Sequence, residues 1–267
     1  MTFLQQKLGR NYKWWYIVLF GYKLGNSSPL IRVINIVSIL IISLTILSVW
    51  KIGNAGSDVF AYLVIGRLFK TIVDTYVYYS LGSDIFNGKI TSALIRPTGQ
   101  FAYNIFNNFG KRIPINFIQI LASAIVIPIC MRNYSPISFD LEFSLTMLGL
   151  APFAFFINYI IGYMVGSSAF FWLDEPTYSS FTRTHEAMNN VLVGLIIPLD
   201  KLSFLPFVVY LPQSWILHHP MQIYLGKYNE VQIWQTFVGG AAWCLVLWIM
   251  ARLFFKSGLK KNEAVGL

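Results

Sequence analysis

Ser83-Asp84-Ile85-Phe86-Asn87-Gly88-Lys89-Ile90-Thr91-Ser92-Ala93-Leu94-Ile95-Arg96-Pro97 is the stretch around which the rest of the chain reads. It is the longest polar-to-amphipathic interruption between segments that otherwise read as lipid-embedded. Ile85, Ile90, Ala93 and Leu94 recur at roughly helical spacing, and Asp84, Asn87, Lys89 and Arg96 take the remaining faces. Pro97 ends the pattern, because its ring removes a donor and biases the residues before it away from helix. A helix this short cannot cross a bilayer. It can lie along the surface, and there it is expected to work as a lever moved from outside the membrane.

Composition supports the lipid-embedded reading on either side. The chain of 267 residues is 56% hydrophobic and only 12% charged, where a soluble domain carries about a quarter charged residues. Net charge is +9, but the basic residues cluster beside apolar runs, which fits membrane orientation and not nucleic-acid binding. Cys130 and Cys244 each sit inside an apolar run and suggest no disulfide framework. No small-residue cleavage site follows the first apolar run, so a removable signal peptide is not expected.

Working outward, the fold class is all-α integral membrane, in one transmembrane domain over 1–267. Residues 1–28 interleave lysines with Trp14, Trp15, Tyr16 and Phe20, the pattern of a helix in the headgroup layer. Six transmembrane helices are expected at about 30–50, 59–81, 113–131, 143–173, 187–205 and 231–255, against the roughly 20 residues that a 30 Å hydrocarbon core demands. The fourth is long enough to be broken near Gly149-Leu150-Ala151-Pro152, and its Gly162, Gly166, Ser167 and Ser168 allow close helix approach. Residues 206–228, with Pro206, Pro212 and His218-His219-Pro220, read as re-entrant helices, following Pro198 and Asp200-Lys201.

The second span is unusual. Arg67, Lys70 and Asp74 are spaced by three and four and so share one helical face. Each such charge costs about 2.5–3.5 kcal/mol at a bilayer centre, so this face cannot point at lipid. Two readings stay open: Lys70 and Asp74 satisfy each other inside the bundle, or the three residues line a substrate path.

Charge asymmetry gives the orientation. The N-terminal segment, the 83–112 stretch and the C-terminal tail share Lys7, Arg10, Lys13, Lys23, Lys89, Arg96, Lys111, Arg112, Arg252, Lys256, Lys260 and Lys261. The opposite loops hold Lys51, Arg132, Lys201 and Lys227. The positive-inside rule therefore puts both termini and the 83–97 segment in the cytoplasm.

Catalytic signatures are missing from the sequence. There is no Gly-x-x-x-x-Gly-Lys-Ser/Thr run to cradle ATP phosphates, no serine or cysteine triad pattern, and no metal-ligand spacing. His218 and His219 are adjacent, so they diverge and suit a structural role better than a metal site. Asp174-Glu175 reads as a solvated helix end or a salt bridge to Arg183.

The arrangement resembles a permease of a type-2 ABC exporter. Asp84 through Pro97 is similar to that family's acidic-to-Arg-Pro segment after the second span. Phe171-Trp172-Leu173, Gly194-Leu195-Ile196-Ile197-Pro198-Leu199, Leu205-Pro206 and Leu211-Pro212 resemble the short six-span permeases often described as drug or viologen exporters, from which Asp200-Lys201 departs. The resemblance implies a permease of a bacterial or archaeal cytoplasmic membrane, paired with a second copy or a sister permease over separate soluble ATPase subunits. It implies no cofactor in this chain, with ATP and Mg bound by the ATPase. Asp84, Phe86, Gly88, Lys89, Leu94, Arg96 and Pro97 would couple to that ATPase, Arg67, Lys70 and Asp74 would line or brace the path, and Pro198, Pro206 and Pro212 would shape the outer gate. The alternative is an ion- or proton-coupled secondary transporter using Lys70 and Asp74, for which inverted repeats are expected and no internal symmetry is visible.

Overall fold

The computed structural model describes residues 12–25, 37, 41, 45, 48, 56–94, 99–133, 140–201 and 206–264. The expected first span, 30–50, lies outside them except at Val37, Ile41, Thr45 and Ser48, all helical. Among the described residues every regular element is a helix. In chain order they are α1 (Tyr12–Gly25), α2 (Ser57–Val73), α3 (Val77–Phe86), α4 (Ile90–Leu94), α5 (Gln100–Asn133), α6 (Leu141–Gly149), α7 (Ala151–Ser167), α8 (Glu175–Leu192), α9 (His218–Tyr224) and α10 (Glu230–Ala264). Short 3₁₀ turns cover Ser168–Phe171, Leu199–Lys201, Pro206–Tyr210 and Pro212–Ile216.

Two helical stretches, Leu141–Phe171 and Glu230–Lys261, are long and apolar enough to cross a bilayer among the described residues. Their surroundings differ. On α10, Trp234, Val238, Leu245 and Leu253 are exposed, an arrangement costly in water and natural against lipid tails. On α7, Ala154, Ile157, Asn158, Tyr159 and Ile160 are buried, because α2, α3, α10 and the Pro212–Ile216 turn all pack on it. The shared core joins Tyr62, Phe69, Val73, Val77 and Leu81 to Ile157, Tyr159, Ile216, Met221, Leu247 and Ala251.

Local chemistry explains the breaks. Asp140 caps α6 by accepting from the backbone N–H groups of Glu142 (2.9 Å) and Phe143 (3.3 Å). Pro152 has no N–H to offer, so the ladder between α6 and α7 is interrupted at Leu150, where the sequence places the break. Asp174 caps α8 in the same way. The Thr177 backbone N–H (2.7 Å) and hydroxyl (2.9 Å) hold its carboxyl below the ordinary carboxylate range. Arg183 gives a hydrogen bond to Ser179 and not to Asp174 (3.2 Å).

Three elements depart from the expected layout. The helix of the third span, expected at 113–131, begins earlier: the polar residues from Gln100 to Lys111 open the 34-residue helix α5, and Asn104, Asn107 and Asn108 are buried there. The stretch expected as a span at 187–205 is not one helix: α8 ends at Leu192, Gly194 takes φ 84, and a 3₁₀ turn follows at Leu199–Lys201. The expected continuous helix over 59–81 is divided between α2 and α3.

The α3–α7 contact depends on small residues. A Cβ on Gly166 would meet Leu81 Cβ at 3.0 Å, and one on Gly162 would meet Val77 Cγ1 at 2.9 Å. Gly166→Leu is expected to push α3 off α7 and cost about 1–3 kcal/mol, the usual penalty of overpacking. Thermal unfolding in detergent reads the loss, and an unchanged midpoint would contradict the close approach.

Candidate functional site

The break between α2 and α3 is built around Asp74. α2 ends at Val73, and Asp74 turns extended (φ −73, ψ 143). The carbonyl of Val73, freed by the break, accepts from Asn158 Nδ2 of α7 at 3.1 Å. The same nitrogen reaches Asp74 Oδ1 at 3.2 Å, and Asp74 Oδ1 also accepts from the Thr75 N–H at 3.2 Å. A break at this depth is tolerable because neighbouring side chains satisfy the released backbone groups. Lys70 Nζ pairs with Asp74 Oδ1 at 2.6 Å, and Arg112 Nη2 of α5 lies 3.5 Å from Oδ2. The Arg112 guanidinium also sits over the Tyr76 ring, 4.7 Å from its centroid. Lys70 and Arg112 are buried, so each depends on this carboxylate for its counter-charge.

A cavity of about 370 Å³ opens beside the break. Arg67, Lys70, Thr71, Asp74, Thr75 and Tyr76 line it from the α2–α3 strip, Asn158 and Gly162 from α7, and His185, Glu186, Asn189 and Asn190 from α8. Leu195 and Ile196 close one wall. Glu186 Oε2 accepts from the Tyr79 hydroxyl at 3.0 Å, and His185 meets the Tyr78 ring edge-on at 5.9 Å. Arg67 is half-buried on this wall and makes no ion pair among the described residues. The Thr75 hydroxyl and Asn189 Oδ1 are buried without a hydrogen-bond partner there.

The 83–97 stretch is not one helix. α3 runs on to Phe86, a turn follows with Gly88 at φ 67, and α4 begins at Ile90. Only glycine takes that backbone without a Cβ penalty. Ile85 and Ile90 anchor the two sides in the core, and Phe86 packs against the Tyr178 ring at 5.5 Å. Asn87, Gly88 and Lys89 are exposed between the anchors, Asp84 is half-buried, and Leu94 is 43% exposed. Arg96 and Pro97 lie outside the described residues.

Comparison with known families decides the class. Residues 30–266 match the family model described as ABC-2 family transporter protein. The chain belongs to the ABC-2 transporter family. Its permeases are the membrane components of transporters and not themselves ATPases. No curated protein and no solved structure matches the chain.

In this ABC-2 permease the end of the bundle near Gly56 is organised differently. Pro198 is buried beside Asp58, Tyr62, Asp200 and Lys227 around a second space of about 310 Å³. Lys227 Nζ stands 3.8 Å from both Asp58 Oδ2 and Asp200 Oδ2, an exposed arrangement worth little in stability. Asp200 and Lys201 are therefore placed at a charged rim. Pro206 opens an exposed 3₁₀ turn, and Pro212 is buried at the start of the next. His219 is structural: Nδ1 lies 2.8 Å from the Tyr228 hydroxyl and Nε2 lies 3.1 Å from the Val209 carbonyl, so Nε2 donates and Nδ1 accepts. No cluster of metal-ligating side chains occurs among the described residues.

The ABC-2 permease brings Arg67, Lys70 and Asp74 to one cavity, with Asn158 on its wall and Arg112 paired to Asp74. Sequence reasoning missed both partners. Arg112 was absorbed into the positive-inside tally as half of Lys111-Arg112. Asn158 is a lone amide in the apolar run APFAFFINYIIGYMVGS, and a polar side chain at such depth is itself a signal that it meets something polar.

Proposed function

We propose that this chain is the membrane-spanning permease of an ABC exporter with six spans and both termini in the cytoplasm of a bacterial or archaeal cell. Two permeases, identical or sister, form the translocation path, and separate ATPase subunits that bind ATP and Mg drive it. The segment that carries Asp84, Phe86, Gly88, Lys89, Leu94, Arg96 and Pro97 docks in a groove of the ATPase and couples to it. Arg67, Lys70 and Asp74 line the path, and the prolines at 198, 206 and 212 shape its outer end. The observation that carries the reading is the exposed turn held between two core anchors, Ile85 and Ile90, which lets a push at the surface reach the α3–α7 contact as rigid motion.

Membership of an ABC transporter family weighs against the ion-coupled alternative. The test is biochemical. Purified alone, the chain should hydrolyse no ATP, and co-expressed with an ATPase from its own gene neighbourhood it should co-purify and support ATP-dependent accumulation of cargo inside inverted or reconstituted vesicles. ATP hydrolysis by the isolated chain, or transport driven by a pH gradient without nucleotide, would overturn the assignment.

A further inference from the structure

We propose that the cavity at the α2–α3 break holds the anionic group of a cargo molecule, phosphate-like in chemistry, against Arg67, the Thr75 hydroxyl and the N-terminus of α3. The inference rests on the permease reading and names the cargo class that reading leaves open.

Independent features of the same cavity converge on an anion. α3 is a ten-residue helix whose N-cap, Tyr76, makes no side-chain capping hydrogen bond. Its first N–H groups and helix dipole therefore favour a negative charge placed at that end. Thr75 lines the cavity beside this terminus, is 3% exposed, and its hydroxyl has no hydrogen-bond partner among the described residues. Buried hydroxyls are ordinarily satisfied, so a ligand oxygen is the missing partner. Arg67 lines the same wall with no carboxylate paired to it among the described residues. A guanidinium presents a planar fork of donors that matches phosphate or carboxylate oxygens.

The charge balance agrees. Asp74 is shared by Lys70 and Arg112, and Glu186 already accepts from the Tyr79 hydroxyl. Arg67 and Lys70 line the cavity against Asp74 and Glu186, and Arg112 of α5 shares Asp74 with Lys70, so Arg67 is the lining cation left to meet an incoming anion. Leu195 and Ile196 add an apolar wall. At about 370 Å³ the space falls within the roughly 300–1,000 Å³ of small-molecule pockets, so a headgroup with part of its apolar stem is the expected occupant.

Binding to the purified chain in non-ionic detergent tests this, with four probes: dioctanoyl phosphatidic acid, dioctanoylglycerol, inorganic phosphate and methyl viologen. The anionic lipid should bind about tenfold or more tighter than the uncharged glyceride, the effect of one charge-assisted contact. Arg67→Gln should abolish that preference, and Arg67→Lys should restore part of it. Tighter binding of phosphatidic acid than of inorganic phosphate assigns the anion to an amphiphile, the reverse order assigns it to a free anion, and both uphold the site. Equal binding of the two lipids, or preferential binding of methyl viologen, overturns it. Should Arg67→Gln not fold, the wild-type probe series still decides, and Thr75→Val supplies a second variant expected to weaken the preference. ATP-driven export by the assembled transporter separates this inference from the permease reading. Export that persists without any anion preference sinks only the former, whereas an anion preference in a chain that engages no ATPase sinks the latter.

Discussion

Asp74→Asn is expected to cost about 3–5 kcal/mol of stability, because it leaves two buried cations without their counter-charge. Lys70 Nζ loses a partner at 2.6 Å, and Arg112 Nη2 loses one at 3.5 Å. The loss is larger than that of an exposed pair such as Lys227 with Asp58, where about 0–1 kcal/mol is at stake. Geometry is preserved in the asparagine variant, since its amide oxygen still accepts from the Thr75 N–H, so the effect isolates the charge. Thermal unfolding of the detergent-solubilised protein is the measurement. Adding Lys70→Met to Asp74→Asn removes one of the stranded cations and should recover part of the midpoint. If the single variant unfolds like wild type, the buried triad is not holding the break together.

Asp84→Lys and Arg96→Glu should reduce ATP-driven transport by about 5- to 150-fold, the usual size of a coupling free energy between two sites, while the bundle stays folded. Asp84 is half-buried at the end of α3, one turn before the exposed Asn87–Lys89 turn, so reversing its charge alters the surface offered to the ATPase more than the core. Two readouts belong together: co-purification of the ATPase, and transport in proteoliposomes. Wild-type transport in both variants would refute the lever. Transport lost with the ATPase still bound would place the defect in transmission along α3 and not in docking. The same segment explains why a rigid link matters: α3 carries the turn at one end and the Asp74 break at the other, with Leu81 pressed on Gly166 between them.

Much of this was legible in the residues. An all-helical membrane protein follows from the apolar runs, and the membership found over residues 30–266 agrees with the resemblance carried by the 83–97 segment. Pro152 announced the interruption between α6 and α7, because a missing N–H is a local property. The charged face of Arg67, Lys70 and Asp74 announced that something polar lies inside the bundle, because hydrocarbon does not tolerate it.

Other features were not legible, for a consistent reason. The strip from 59 to 81 contains no proline and reads as continuous helix; it breaks because Asn158, some 84 residues further along, supplies the hydrogen bond that the helix gives up. The asparagines of Gln100–Lys111 hid the early start of α5, whose polar face is covered only when α1 and α2 pack against it. The turn after Leu192 overrides an apolar run that length alone would continue.

What the sequence determined by itself was the solvent: composition, hydropathy and the distribution of lysine and arginine place these helices in a membrane, since transfer energies depend on residue type and not on neighbours. Tertiary structure alone decided where α2 yields to α3, which cations share Asp74, and that Arg67 and Thr75 face one cavity. Those outcomes depend on hydrogen bonds and ion pairs between residues far apart in the chain, and no local pattern encodes who the distant partner is.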